Sequence, residues 1–172
     1  RRILKSILGV SMGGKEVIEH FKIHARIKST NPIAPLSVSA PGKGQHILVL
    51  IPHPDDEVIG AGGTLVLAAA SGCEVTCYYA TSGAFFSDDM TYSETGALRQ
   101  SEASAVCALA GWNAIFDDRQ CSGKLSDPDQ LLRLARIVKE LEPSHIFIPF
   151  ILDEHEDHRD VNRLLAMTRG RF

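Results

Sequence analysis

From His46 onward the sequence alternates between short apolar runs and longer stretches with helical patterning. "HILVLI" is a continuous apolar run, the signature of a strand buried on both faces. "AGGTLVLAAASG" is helix-like and stops at Gly72, and "CEVTCYYAT" is β-branched and aromatic, hence a second strand. "SETGALRQSEASAVCALAG" predicts a helix with Ser93 as N-cap and Gly111 as its stop. "NAIFD" is a short third strand, preceded by Trp112, which is assigned to packing. "SDPDQLLRLARIVKELEP" is a strong helix, capped by Ser126 or Asp127, with Pro128 in its first turn and Pro143 after its end. Leu131, Leu134, Ile137, Val138 and Leu141 form its inward stripe. "HIFIPF" is a fourth strand and "HRDVNRLLAM" opens a further helix. Strand and helix in repeated alternation, with short links, predict an α/β domain with a mainly parallel sheet and right-handed crossovers.

In such sheets ligands bind at the carboxyl ends of the strands. The first strand is followed directly by "HPDDE": His53, Pro54, Asp55, Asp56 and Glu57. The fourth is followed after two residues by "DEHEDH", Asp153 to His158. Both clusters therefore belong to one rim. Imidazole and carboxylate together suit zinc, with cobalt, manganese or iron as alternatives. A catalytic zinc takes about three protein ligands and keeps one open position. His53, one acid of Asp55 and Asp56, and one of His155 and His158 supply such a set. A remaining carboxylate can take a proton, and a remaining histidine can stabilise an oxyanion. Two adjacent aspartates in a dry pocket repel, and a dication beside them removes that cost. Glu57 fits a helix first turn.

These residues resemble a known family. "PHPDDE" after a strand, then "GAGGTL", and "DEHEDH" after a later strand are similar to the LmbE-like, or PIG-L-like, N-acetylglucosaminyl deacetylases, whose signatures are HPDDE and HxDH. "ATSG", the Arg99 to Glu102 spacing in "RQSEASAVCALAG", and "EPSHIFIPFILDEHEDH" extend the resemblance from about His46 to Leu165. The resemblance implies a Rossmann-like fold with helices on both sheet faces, and removal of an N-acetyl group from an N-acetylglucosamine-type conjugate. It implies His53, Asp56 and His158 as zinc ligands, with a metal-bound water as nucleophile and Asp55 as general base. It implies His155 as support for the oxyanion and Asp157 as the group that orients His155. Arg99 is open between a substrate contact and a pairing with Glu102, Asp88 or Asp89. Three features depart from the family pattern: the leader before His46, Ala84 after "TSG", and an end at Phe172 soon after the second motif. A metal hydrolase of another small-molecule amide, or a truncated non-catalytic binding module, is the alternative.

Residues 1–44 have a different character from residues 45–172, the deacetylase-like part, which lacks the family's C-terminal portion. "KEVIEHFKIHARIK" is a modestly amphipathic helix, and "STNPIAPLSVSAPGKG" is a connector. "RRILKSILGVSMGG" is too short and too broken by Lys5 and Ser6 for a signal peptide. A first residue of Arg marks a fragment or a processed form. No run approaches the roughly 20 apolar residues of a membrane span. The net charge of −3 and the lack of a basic aromatic-laced cluster argue against nucleic acid as a partner. The partner expected is a small-molecule amino sugar, with homo-oligomerisation left open. Cys73, Cys77, Cys107 and Cys121 form no CxxC pair and suit buried, reduced thiols in a cytoplasmic protein. His46, His145, His20 and His24 are assigned structural roles. Thr81, Ser82 and Gly83 are either a plain turn or part of a pocket wall.

Overall fold

The computed structural model describes residues 41–117 and 128–168. Along these the elements run β1 (His46–Ile51), α1 (Asp56–Ala70), β2 (Glu74–Tyr79), α2 (Tyr92–Ala110), β3 (Asn113–Phe116), α3 (Pro128–Leu141), β4 (His145–Phe147) and α4 (Glu156–Thr168). The leader helix expected over residues 15–28, the caps Ser126 and Asp127, and Cys121 lie outside the described residues.

All strand pairs are parallel, in the order β3-β2-β1-β4. The period-2 alternation of β1 decides the layers. Ile47, Val49 and Ile51 face one side, where they pack with Leu65 and Ala68 of α1 and with Ala103 and Cys107 of α2. Leu48 and Leu50 face the other, against Leu131, Leu134 and Ile137 of α3 and Val161, Leu164 and Leu165 of α4. The expected stripe of α3 is thus its buried face; Val138 and Leu141 pack at its margin. Tyr78 and Tyr79 are fully buried, and each hydroxyl has a partner: Tyr78 donates to Asp117 Oδ2 at 2.6 Å, and Tyr79 bonds Cys107 Sγ at 3.3 Å. Trp112 is buried in the first layer, as the packing assignment requires, and Cys73, Cys77 and Cys107 are free and buried.

Four boundaries differ from expectation. The cap of α2 is Thr91, not Ser93: its hydroxyl accepts Glu94 N–H, and Glu94 Oε2 accepts Thr91 N–H at 2.8 Å, a reciprocal capping box. That helix does end at Gly111, in the left-handed region at φ 71. The fourth strand stops at Phe147 rather than Phe150. Among the described residues it pairs with β1 alone, and Pro149 has no N–H to extend the ladder. Both site helices begin earlier than their apolar patterns do, α1 at Asp56 and α4 at Glu156. The acid clusters are therefore first turns of helices, where carboxylates are favoured by the helix dipole.

Candidate active site

The sheet order places β1 beside β4, where the chain reverses its direction of travel across the sheet. Such a switch point opens a crevice at the carboxyl ends of the strands. "HPDDE" follows β1 and "DEHEDH" follows β4, so the two motifs meet in that crevice.

Two imidazoles are anchored there by one ring nitrogen each. His53 Nε2 lies 2.9 Å from Asp157 Oδ2, and His158 Nδ1 lies 3.1 Å from Asp153 Oδ2. The first is a hydrogen bond and the second an ion-pair distance, and a carboxylate beside each outer nitrogen favours the ring proton there. The inner nitrogens, His53 Nδ1 and His158 Nε2, then present lone pairs, each 3.4 Å from the same oxygen, Asp56 Oδ2. Lone pairs facing a carboxylate repel unless a proton or cation lies between them. A tetrahedral zinc with bonds of about 2.05 Å has ligand–ligand edges of about 3.3 Å. The spacing and the chemistry of His53, Asp56 and His158 therefore fit such an ion. The anchoring carboxylates complete the carboxylate–histidine–metal arrangement common at these sites. His155 adds a third imidazole: one ring nitrogen from each of His53, His155 and His158 falls within 4.8 Å of the others.

Asp157 departs from its expected role. Its carboxylate bonds His53 Nε2 at 2.9 Å, whereas His155 Nδ1 is 3.9 Å away. The reason is depth: Asp157 is buried in the first turn of α4, facing His53, while His155 lies outside that turn with a half-exposed ring. What orients His155 is the Asp157 backbone N–H, which donates to His155 Nδ1 at 3.3 Å. The neutral ring then carries its proton on Nε2. Burial, reinforced by the neighbouring His53, lowers the His155 pKa and favours that neutral form.

The two adjacent aspartates diverge. Burial raises the Asp55 pKa, helped by the like charge of Asp56 and opposed by Arg99. Burial acts on Asp56 in the same direction. There, a proton held between the His53 ring and Oδ2, in the place a metal cation would take over, the His53 backbone N–H at 3.0 Å and the charge of His158 outweigh it and lower the pKa. Glu57 lies in the first turn of α1, as expected, but it is buried. It is 2% exposed; its Oε2 accepts Asp55 N–H at 3.1 Å, and burial raises its pKa. Arg99 pairs with Asp55 Oδ2 at 2.7 Å rather than with Glu102, Asp88 or Asp89. Thr81 and Gly83 form a turn buttressed on the first motif. Thr81 Oγ1 donates to Pro52 O at 2.7 Å, and Gly83 O accepts Arg99 Nη1 at 2.9 Å. Asp153 and Glu57 are the site residues that sequence reasoning left without a role, and Asp153 carried no signal beyond its place in the second cluster. A cavity of about 360 Å³ adjoins Asp56 and His158, walled by Ile59, Phe147, Ile148, Pro149 and Phe150.

The profile of the family described as "PIG-L: GlcNAc-PI de-N-acetylase" matches residues 48–168, which span both motifs and the elements between them. The chain belongs to this family. Among curated PIG-L relatives, a probable N-acetyl-alpha-D-glucosaminyl L-malate deacetylase 2 of Bacillus cereus is 31% identical over 143 residues, covering 74% of this chain and 62% of the relative. A 1D-myo-inositol 2-acetamido-2-deoxy-alpha-D-glucopyranoside deacetylase 1 of Catenulispora acidiphila is 36% identical over 55 residues, covering 32% of this chain and 17% of the relative. The solved N,N'-diacetylchitobiose deacetylase of Pyrococcus horikoshii superposes with a TM-score of 0.68 at 25% identity, over 84% of this chain and 57% of that one. The 4-carboxy-2-hydroxymuconate hydratase GalB of Pseudomonas putida shares the fold at a TM-score of 0.66 and 24% identity, over 73% of this chain and 56% of that one. The chain thus spans less than two thirds of the length of these relatives. The PIG-L fold expected from the two motifs is the fold observed, and a fold shared with a hydratase leaves the reaction to be argued from the site.

Proposed function

We propose that this chain carries the metal-dependent N-deacetylase centre of its family and hydrolyses the N-acetyl group of an N-acetylglucosamine-type conjugate. The observation that carries this reading is the convergence of His53 Nδ1 and His158 Nε2 on Asp56 Oδ2, with Asp55 beside them. His53, Asp56 and His158 would hold the ion. Zinc in such a donor set supplies Lewis acidity toward a carbonyl oxygen and acidifies water to a pKa of about 7.

The remaining residues supply proton transfer and charge stabilisation. Asp55 is the general base: its carboxylate adjoins the donor Asp56, and the proton it takes can pass to the departing amine. His155 donates through Nε2–H to the amide oxygen as negative charge builds there. Asp157 and Asp153 hold the two ligand rings through their outer nitrogens. The names of the curated relatives supply the amino-sugar class, and the identity of the conjugate's other half is left to experiment.

Acetate release from a panel of N-acetylglucosamine conjugates is the direct test, run on chelated and on zinc-reloaded protein. Activity that appears on reloading is expected. A zinc-replete protein that releases no acetate from any conjugate, yet cleaves non-sugar amides, moves the assignment to another amide hydrolase.

A further inference from the structure

Asp55 has φ 124 and ψ −29, a backbone conformation costly for any residue with a side chain. It persists because its surroundings grip it. Glu57 Oε2 accepts its N–H at 3.1 Å. Arg99 Nη2 donates to Asp55 Oδ2 at 2.7 Å and to the carbonyl of Pro54, on the peptide just before Asp55. Arg99 Nη1 donates to Gly83 O at 2.9 Å. One guanidinium therefore ties the loop after β1 to the loop after β2. The space around it is tight. A Cβ on Gly83, whose φ is +64, would stand 2.7 Å from Pro54 Cδ and 3.1 Å from Arg99 Cζ and Nε. The Arg99 side chain is 20% exposed, with Nη1 committed to the loop after β2 and Nη2 to the loop after β1.

We infer that Arg99 is a positioning residue, holding Asp55 in its strained conformation at the rim of the metal centre, rather than primarily a contact to the amino sugar. The inference rests on the deacetylase reading for its kinetic consequence but not for its structural one. Its rigid fork makes arginine suited to this: lysine keeps the charge but cannot reach two carbonyls and a carboxylate together.

The test uses zinc-loaded Arg99→Ala and Arg99→Lys, with Arg99→Gln as a further variant that removes the fork but keeps a polar side chain. Crystal structures of Arg99→Ala are expected to show Asp55 relaxed to negative φ with zinc content unchanged. On an N-acetylglucosamine conjugate, kcat should fall about 100-fold with KM within about twofold of wild type, as for misplacement of a reacting group. Guanidinium ion in the buffer should restore part of the loss in Arg99→Ala and none in Arg99→Lys. An unchanged Asp55 backbone in Arg99→Ala, or a raised KM at constant kcat, overturns the inference. If wild type releases no acetate, the deacetylase reading fails while the crystallographic comparison still decides the role of Arg99. If Arg99→Ala does not fold, the same readouts on Arg99→Gln and Arg99→Lys decide it.

Discussion

Asp55 and Asp56 are neighbours in different surroundings, and their proposed division of work follows their contacts: Asp56 Oδ2 faces two imidazoles, Asp55 Oδ2 faces Arg99. Asp56, between His53 and His158, is suited to a cation; Asp55, outside that pair of rings, is left to take a proton. Asp55→Asn should therefore lower kcat by about 10²–10⁴-fold while zinc content stays at the wild-type level, measured by acetate release and metal analysis. Loss of metal along with activity would instead make Asp55 a ligand. Glu57 permits a second prediction. Burial raises its pKa in the folded state, so from about 4.5 up to its folded value the native chain binds the extra proton. Stability then falls as the pH rises across that window. Glu57→Gln should flatten this part of the pH profile relative to wild type, as followed by urea unfolding from acid to neutral pH. Parallel profiles would show that the carboxyl titrates alike in both states. The two motifs, and the acids and imidazoles in them, were legible in the sequence. Which carboxylate meets which ring was not, because Asp157 and His53 are separated by 104 positions and face each other only through packing.

The helices differ in what specifies them. Leu131, Leu134 and Ile137 of α3 recur at helical spacing and are buried, so the pattern alone reveals its inner face. Helix α1 hides its inner face from such reading: Leu65 and Ala68 are buried while Ile59 is 80% and Leu67 70% exposed. Apolar residues all round leave no period to read. Leu134, with no exposed surface, should be the sensitive point of the second layer. Leu134→Ala is expected to cost about 2–5 kcal/mol in chemical denaturation, against less than about 1 kcal/mol for Leu132→Ala, at the half-exposed neighbouring position. Equal losses at the two positions would contradict the layer assignment. The first motif also overlaps the start of α1, so Asp56, the proposed metal donor, sits on a rigid element, while Asp55 sits on the loop before it.

In the assembled sheet, β1 lies between β2 and β4 and carries the first motif into the crevice. A site built from both sides of that crevice links metal binding to the integrity of the fold. Ligand held only by the native state stabilises it by about 2.7 kcal/mol at a hundredfold excess over Kd. For a chain of this size that is roughly 5–10 °C in Tm. Chelation should lower the melting temperature by that order and zinc should restore it, with His158→Ala showing no response; an equal response in His158→Ala would place the ion elsewhere. Among the described residues, no helix is long and apolar enough to cross a membrane. Local chemistry determined a good deal unaided: apolar runs of strand length, helical stripes, and two polar clusters each placed after a strand are properties of neighbouring residues. Tertiary structure alone decided that β4 adds beside β1 rather than beyond β3, that Asp157 turns to His53, and that Arg99 reaches Asp55. Those outcomes depend on contacts between segments 44 to 104 positions apart, and distant contacts leave no local period or spacing to read.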